Sequence, residues 1–192
     1  MNEDLKYRKA EPADAERIME IIRQAQAQMR ALGSLQWQDG YPARADIDRD
    51  IARGYGYVFE KSDAAENPAA AETPQKYDKG TVPGGVIAYG AVVFDGEPAY
   101  GAIDGAWLTG GDYVVLHRLA VADGEKGRGV AAEFLRRTEA LARGRGVGSF
   151  RVDTNFDNRY MLRMLERLRF AYCGKIIYES GERLAFEKPL EA

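Results

Sequence analysis

The stretch VVLHRLAVADGEKGRGVAAEF, Val114 to Phe134, places two kinds of chemistry side by side. His117, the one histidine of the chain, lies inside an apolar run, and an imidazole with an ordinary pKa of about 6.5 can take or give a proton near neutral pH. Gly127 and Gly129 then open a strongly patterned helix. A glycine-rich turn at a helix N-terminus directs free backbone N–H groups and the positive end of the helix dipole at an anion. The pattern is therefore that of an anion seat close to a base. A plainer role for the histidine, bonded to a neighbour within the core, competes with the catalytic one.

Spacing narrows the anion. A nucleoside-triphosphate loop needs Lys and then Ser or Thr directly after its last glycine, and here Gly129 is followed by Val130 and Ala131. Gly127, Gly129 and Ala132 do satisfy G-x-G-x-x-A, with Asp153 near the end of the next strand, which keeps a dinucleotide-binding reading open. Against it, such glycines follow the first strand of their unit almost directly, whereas here Ala122 to Lys126 intervene and several strands precede.

The elements around these residues are legible from periodicity. Leu5 to Ala10 reads as a strand. A helix opens at Pro12 with an apolar stripe at Ile18, Ile21, Ile22, Ala25, Met29 and Leu32. The loop GSLQWQDGYP leads to a shorter helix from Ala43 to Arg53. Strands follow at Tyr57 to Glu60, Val86 to Phe94 and Tyr113 to Val121. Ser62 to Gly85 has almost nothing able to fill a core and reads as an exposed loop or hairpin insert. After the glycine loop, Val130, Ala131, Phe134, Leu135, Thr138, Leu141 and Ala142 mark a helix. Phe150 to Thr154 is a strand, Asp157 or Asn158 caps a helix carrying Met161, Leu162, Met164, Leu165 and Leu168, and strands at Ala171 to Tyr178 and Arg183 to Lys188 close the chain. Alternation along Tyr113 to Val121 puts Val115, His117, Leu119 and Val121 on one face, with Leu116, Arg118 and Ala120 on the other.

With 192 residues, 45% of them hydrophobic, the chain suits one domain, 1–192. A net charge of −3 lacks the positive surface that nucleic-acid binding exploits. No run is long enough for a membrane span, and MNEDLKYRKAEPAD is charged where a secretory signal is apolar, so a cytoplasmic protein is expected. The single cysteine, Cys173, excludes an intrachain disulfide and reads as a packing residue.

Val121 to Gly129 resembles the pyrophosphate loop of the GNAT superfamily of acyltransferases, commonly V-x-P-x-Y-[RQ]-G-x-G-[IV]-[GA]. Asn158 to Phe170, NRYMLRMLERLRF, resembles that superfamily's N-x-x-A-x-x-L-Y-x-x-x-G-F, and QWQDGYP, HRLAV, RVDTNFDN and YCGKI together are similar to a bacterial branch of it. The resemblance covers nearly the whole chain apart from the insert. It implies an α/β (α+β) fold: a mixed, mostly antiparallel sheet, splayed between its fourth and fifth strands and flanked by about four helices. It also implies acetyl-coenzyme A as co-substrate with no metal. The pantetheine arm would pair with backbone at Leu119, Ala120 and Val121, the pyrophosphate would sit at Lys126, Gly127, Arg128, Gly129, Val130 and Ala131, and Asn158 would bond the arm from the other side. His117 becomes a candidate general base. Trp37, with Gln38, and Tyr41 would border the acceptor slot. Asp153 and Asn155 could orient the acceptor or simply cap a strand end.

Departures from the motif also count. Leu165 stands where many relatives carry the tyrosine that protonates coenzyme A, and Tyr160 and Tyr172 do not occupy that position. Asp123 replaces a proline, and with Glu125 it adds negative charge beside the phosphate seat. The leading expectation is an N-acetyltransferase acting on a small amine or a protein amino group. The alternatives are a catalytically silent acyl-coenzyme A binding module and a dinucleotide-binding protein. The acceptor is not legible, and a homodimer stays open.

Overall fold

A computed structural model describes residues 5–61 and 85–190. The expected insert therefore lies outside the described residues, except for Gly85. The elements are β1 (Leu5–Lys9), α1 (Ala15–Ala31), α2 (Arg44–Ala52), β2 (Gly56–Lys61), β3 (Gly85–Val93), the two-residue β4 (Asp104–Gly105), β5 (Tyr113–Val121), α3 (Val130–Gly144), β6 (Ser149–Thr154), α4 (Arg159–Arg167), β7 (Ala171–Tyr178) and β8 (Gly181–Pro189). They match the periodicity reading closely. The apolar stripe of α1 buries Ile18, Ile21, Ile22 and Ala25 as expected, and Asn158 caps α4 by accepting from the Met161 N–H. Two features escape a periodicity reading, the short β4 and the tight helical turn Pro98–Ala102, because neither is long enough to show a period.

One mixed sheet runs in the order β1-β2-β3-β5-β6-β8-β7-β4. Every pairing is antiparallel except β5 with β6. Two cores cover its faces. On one, Phe134 and Leu135 of α3 and Leu165 of α4 pack over Phe59, Val114, Leu116 and Phe150. On the other, α1 with Ile47 of α2 packs over Val58, Tyr89 and Ala120. At about 1.5–3 kcal/mol for each fully buried large aliphatic or aromatic side chain, these faces supply most of the folding drive.

The alternation expected for β5 fails at one residue. Tyr89 of β3 pairs with Ala120 and Ala91 with His117, so Gly90 alone faces both Arg118 and Leu119. This is a bulge, and Arg118 sits in it with a left-handed φ of +55°. The extra residue resets the parity. Val114, Leu116, Leu119 and Val121 pack on the α3 side, while Val115, His117 and Ala120 face the α1 side, with Arg118 reaching Asp50 of α2 on that same side. His117 therefore does not share a face with Leu119 and Val121. Opposite the bulge only glycine fits at Gly90, because a Cβ there would lie 2.8 Å from the Phe134 ring and 2.9 Å from Leu116.

Candidate active site

The site begins where two strands part. β5 and β6 pair only at Tyr113 with Ser149, Val114 with Phe150 and Val115 with Arg151. Beyond Val115 and Arg151 the two parallel strands are no longer joined to each other, so a slot opens toward their C-terminal ends, as the splay requires. Exposed backbone along such a slot can accept an extended ligand in the manner of an added strand.

At one end of β5 lies the glycine turn expected to seat an anion. A tight turn, Asp123–Glu125, leads into Gly127 and Gly129, whose φ values are +77° and +81°. A Cβ at either position would meet nothing within 4 Å, so the space above them is open. Gly129 caps α3 without a side chain to bond the first N–H groups of that helix. Those groups point outward with the positive end of the dipole behind them. Val130 is buried in the core and Ala131 packs against it, which anchors the helix start. Of the two expected cations, Lys126 donates to Asp123 Oδ1 at 2.5 Å and Arg128 lies 3.5 Å from Glu125 Oε2. Arg128 is largely exposed, and surface pairs of this kind are worth about 0–1 kcal/mol, so it can turn to another anion at small cost.

His117 lies just past the last paired residues, on the face opposite α3. Its Nδ1 is 3.9 Å from Asp153 Oδ1, across the opening between β5 and β6. Its Nε2 is 3.1 Å from Glu97 Oε2. That nitrogen is buried, and among the described residues it has no partner in hydrogen-bonding geometry. The approach is a close charge contact rather than an aligned hydrogen bond, yet the imidazole still holds the Glu97 carboxyl below the usual carboxylate range. Asp153 Oδ1 accepts from Tyr100 Oη at 2.7 Å and from Tyr178 Oη at 3.3 Å. Burial, reinforced by Asp153, pushes both phenols above their ordinary values, so they act as donors and stay protonated. Asp153 is thus no exposed strand-end cap.

The walls around this cluster are aromatic and firmly braced. Tyr100 stacks on Tyr113 with ring centroids 6.0 Å apart and packs tilted against Trp107 at 4.9 Å. The Arg151 guanidinium lies over Trp107 and Tyr113, 4.4 and 4.0 Å from their centroids. It also reaches Glu187, which is wholly buried and accepts from Thr109, Ser149 and the Leu108 N–H. Sequence reasoning missed Glu97, Tyr100 and Tyr178. Glu97 and Tyr100 come from an irregular loop, and Tyr178 from a strand three places away in the sheet, so no local spacing links them to His117.

The other expected residues divide between the two sides of the slot. Trp37, held at φ +61°, packs against the α1 core and seals the helix junction. Tyr41 Oη accepts from Arg118 Nη1 at 2.8 Å, which ties the α1–α2 loop to the β5 bulge beside His117. Arg118 in turn grips Asp50 with two bonds of 2.8 and 2.7 Å. Asn155 is buried and donates to Asp157, away from His117. Ser34 donates to that same Asp157, and the Asn158 amide donates to Gln36 at 3.4 Å, so the loop after α1 bridges to the start of α4. Leu165 is fully buried in the core, and Tyr160 and Tyr172 are exposed. Cys173 is buried and its thiol is pushed up by that burial, as a packing residue should be.

Comparison with known proteins decides the family. A profile of the Acetyltransferase (GNAT) family matches residues 29–170. A GNAT-family acetyltransferase structure from Streptococcus agalactiae is 33% identical, with 99% of this chain and 98% of that chain covered and a TM-score of 0.79. The chain belongs to the GNAT acetyltransferase family. A GNAT-family structure from Listeria monocytogenes (19% identity, coverage 97% and 95%, TM-score 0.68) and a chain of the NatC complex bound to Gag peptide and CoA (13%, 98% and 99%, 0.61) share the fold. No curated protein matches. Membership in a GNAT family supports an acyltransferase, and the sheet parts between Tyr113–Val121 and Ser149–Thr154, the fourth and fifth expected strands, which are β5 and β6 once the short β4 is counted. None of the described helices is long and apolar enough to cross a membrane.

Proposed function

We propose that this GNAT protein transfers an acetyl group from acetyl-coenzyme A to an amine of a small molecule or a protein, with both substrates bound together and His117 as the general base. The observation that carries this reading is His117 facing Asp153 across the mouth of the slot, 3.9 Å apart, on the face opposite the glycine seat's helix. The seat suits the co-substrate. Its glycines leave open space, and its helix start offers uncapped N–H groups. Backbone at Leu119, Ala120 and Val121 would pair with the pantetheine arm, the N–H groups from Gly127 to Ala131 would hold the pyrophosphate with Lys126 and Arg128 nearby, and the Asn158 amide would turn from Gln36 to the arm.

When bound, the co-substrate supplies a thioester. Asp153 attracts the acceptor's ammonium group, and His117 takes one of its protons. The nitrogen lone pair then forms the amide C–N bond while the C–S bond breaks with its electrons on sulfur, and a second nitrogen proton ends on the thiolate. Orientation of the two substrates provides much of the acceleration. Leu165 is core and supplies no acid, and a thiol whose ordinary pKa is about 8.5 can leave as the thiolate and take that proton through solvent.

The test is thiol release from acetyl-coenzyme A across an amine panel, followed by His117→Gln. Turnover that falls about 100-fold or more in the variant, with unchanged coenzyme A affinity, is the expected result. Thermal stabilisation by coenzyme A with no thiol release from any amine would favour a silent binding module instead.

A further inference from the structure

We infer that Glu97 is the positioning residue of this site: it keeps a proton on His117 Nε2, which leaves Nδ1, the nitrogen that faces Asp153, as the proton acceptor. This inference rests on the reading of His117 as a base. A neutral imidazole must carry its proton on one nitrogen. With Glu97 Oε2 3.1 Å from Nε2, although off the line of an N–H, a lone pair there would place its electrons beside a carboxylate at a buried nitrogen. A proton there replaces that repulsion with attraction. At Nδ1 the situation is reversed, because Asp153 Oδ1 is 3.9 Å away, beyond hydrogen-bond reach, and already accepts from Tyr100 and Tyr178.

Glu97 is itself held in place. Its Oε1 accepts from the Ala99 N–H at 3.2 Å, and its own N–H donates to Tyr113 Oη at 3.1 Å, which fixes it at the start of the Pro98–Ala102 turn. Its carboxyl is kept ionised, first by His117. The groups facing the imidazole are then Glu97 from the loop after β3, Tyr100 from the turn, Asp153 from β6 and Tyr178 from β7, with Arg118 beside it on β5. Two carboxylates flank the ring. When Nδ1 takes the acceptor's proton, both stabilise the resulting imidazolium, and Glu97 does so without competing for the acceptor. The logic is that of a buried acid that sets the tautomer and steadies the charge of a catalytic histidine.

Because the chain has one histidine, a protein labelled with ¹⁵N-histidine reports a single imidazole, and its long-range proton–nitrogen spectrum identifies the tautomer without any turnover. The expected spectrum of the full chain at alkaline pH shows Nε2 protonated and Nδ1 bare. Glu97→Gln, which keeps size and can present either a carbonyl or an amide, should mix the tautomers. The same variant should lower kcat about 100-fold, move the acid limb of the pH–rate profile to lower pH, and leave the KM for acetyl-coenzyme A unchanged. A wild-type ring protonated on Nδ1, or a Glu97→Gln protein with the same tautomer and the same pH profile, overturns the inference. A protein that acetylates nothing removes the acyltransfer reading instead, and the wild-type spectrum still decides whether Glu97 sets the ring.

Discussion

Removing the carboxylate of Asp50 should cost more than any other single change at the edge of the site. Asp50 and Arg118 are joined by two hydrogen bonds of 2.8 and 2.7 Å, with only 6% and 16% of their side chains exposed, and Tyr89 donates to the same carboxylate at 2.6 Å. Asp50→Ala strands a buried guanidinium and a buried phenol. Breaking one side of a buried pair costs about 3–5 kcal/mol, and in a chain of this size each kcal/mol moves Tm by about 2–4 °C, so a fall of about 6–20 °C is expected by thermal denaturation. The function should suffer separately. Arg118 occupies the bulge at a left-handed φ that costs about 1–3 kcal/mol, and the grip of Asp50 holds it there. The double variant Asp50→Leu with Arg118→Met replaces the pair by apolar volume and should recover most of the lost Tm. It should not recover acetyl transfer, because the bulge between His117 and the Leu119–Val121 backbone is no longer pinned. A single variant whose Tm stays within about 2 °C of wild type, or a double variant with full activity, would refute the argument.

Gly127→Ala meets no neighbour but forces a left-handed residue, so about 1–2 kcal/mol of stability should be lost while coenzyme A stabilisation in a thermal-shift assay weakens markedly; equal stabilisation would remove the glycine seat. Leu165→Tyr restores the residue many relatives carry, yet this position is fully buried, so the outcome should be a loss of about 1–3 kcal/mol in denaturant unfolding and no gain in kcat.

Much of this protein is written locally. The helix stripe Ile18, Ile21, Ile22, Ala25, the apolar run of β5 and the cap at Asn158 are set by residues a few positions apart, and periodicity reads them directly. The glycine seat is equally local, because two left-handed glycines and a helix start lie within a few residues of one another. The histidine's surroundings are not. Glu97, Asp153, Tyr100 and Tyr178 reach His117 from a loop and two other strands, and the closeness of such groups depends on sheet order, which no spacing along the chain encodes. The face His117 occupies was likewise decided in three dimensions. Strict alternation would group it with Leu119 and Val121, but one extra residue opposite Gly90 puts those two on the α3 side, while the histidine keeps the face of Val115, where its carboxylates lie. The sequence determined the family and the glycine turn because those are stretches of backbone; the order of the strands in the sheet decided which groups surround His117 because they are a meeting of distant side chains.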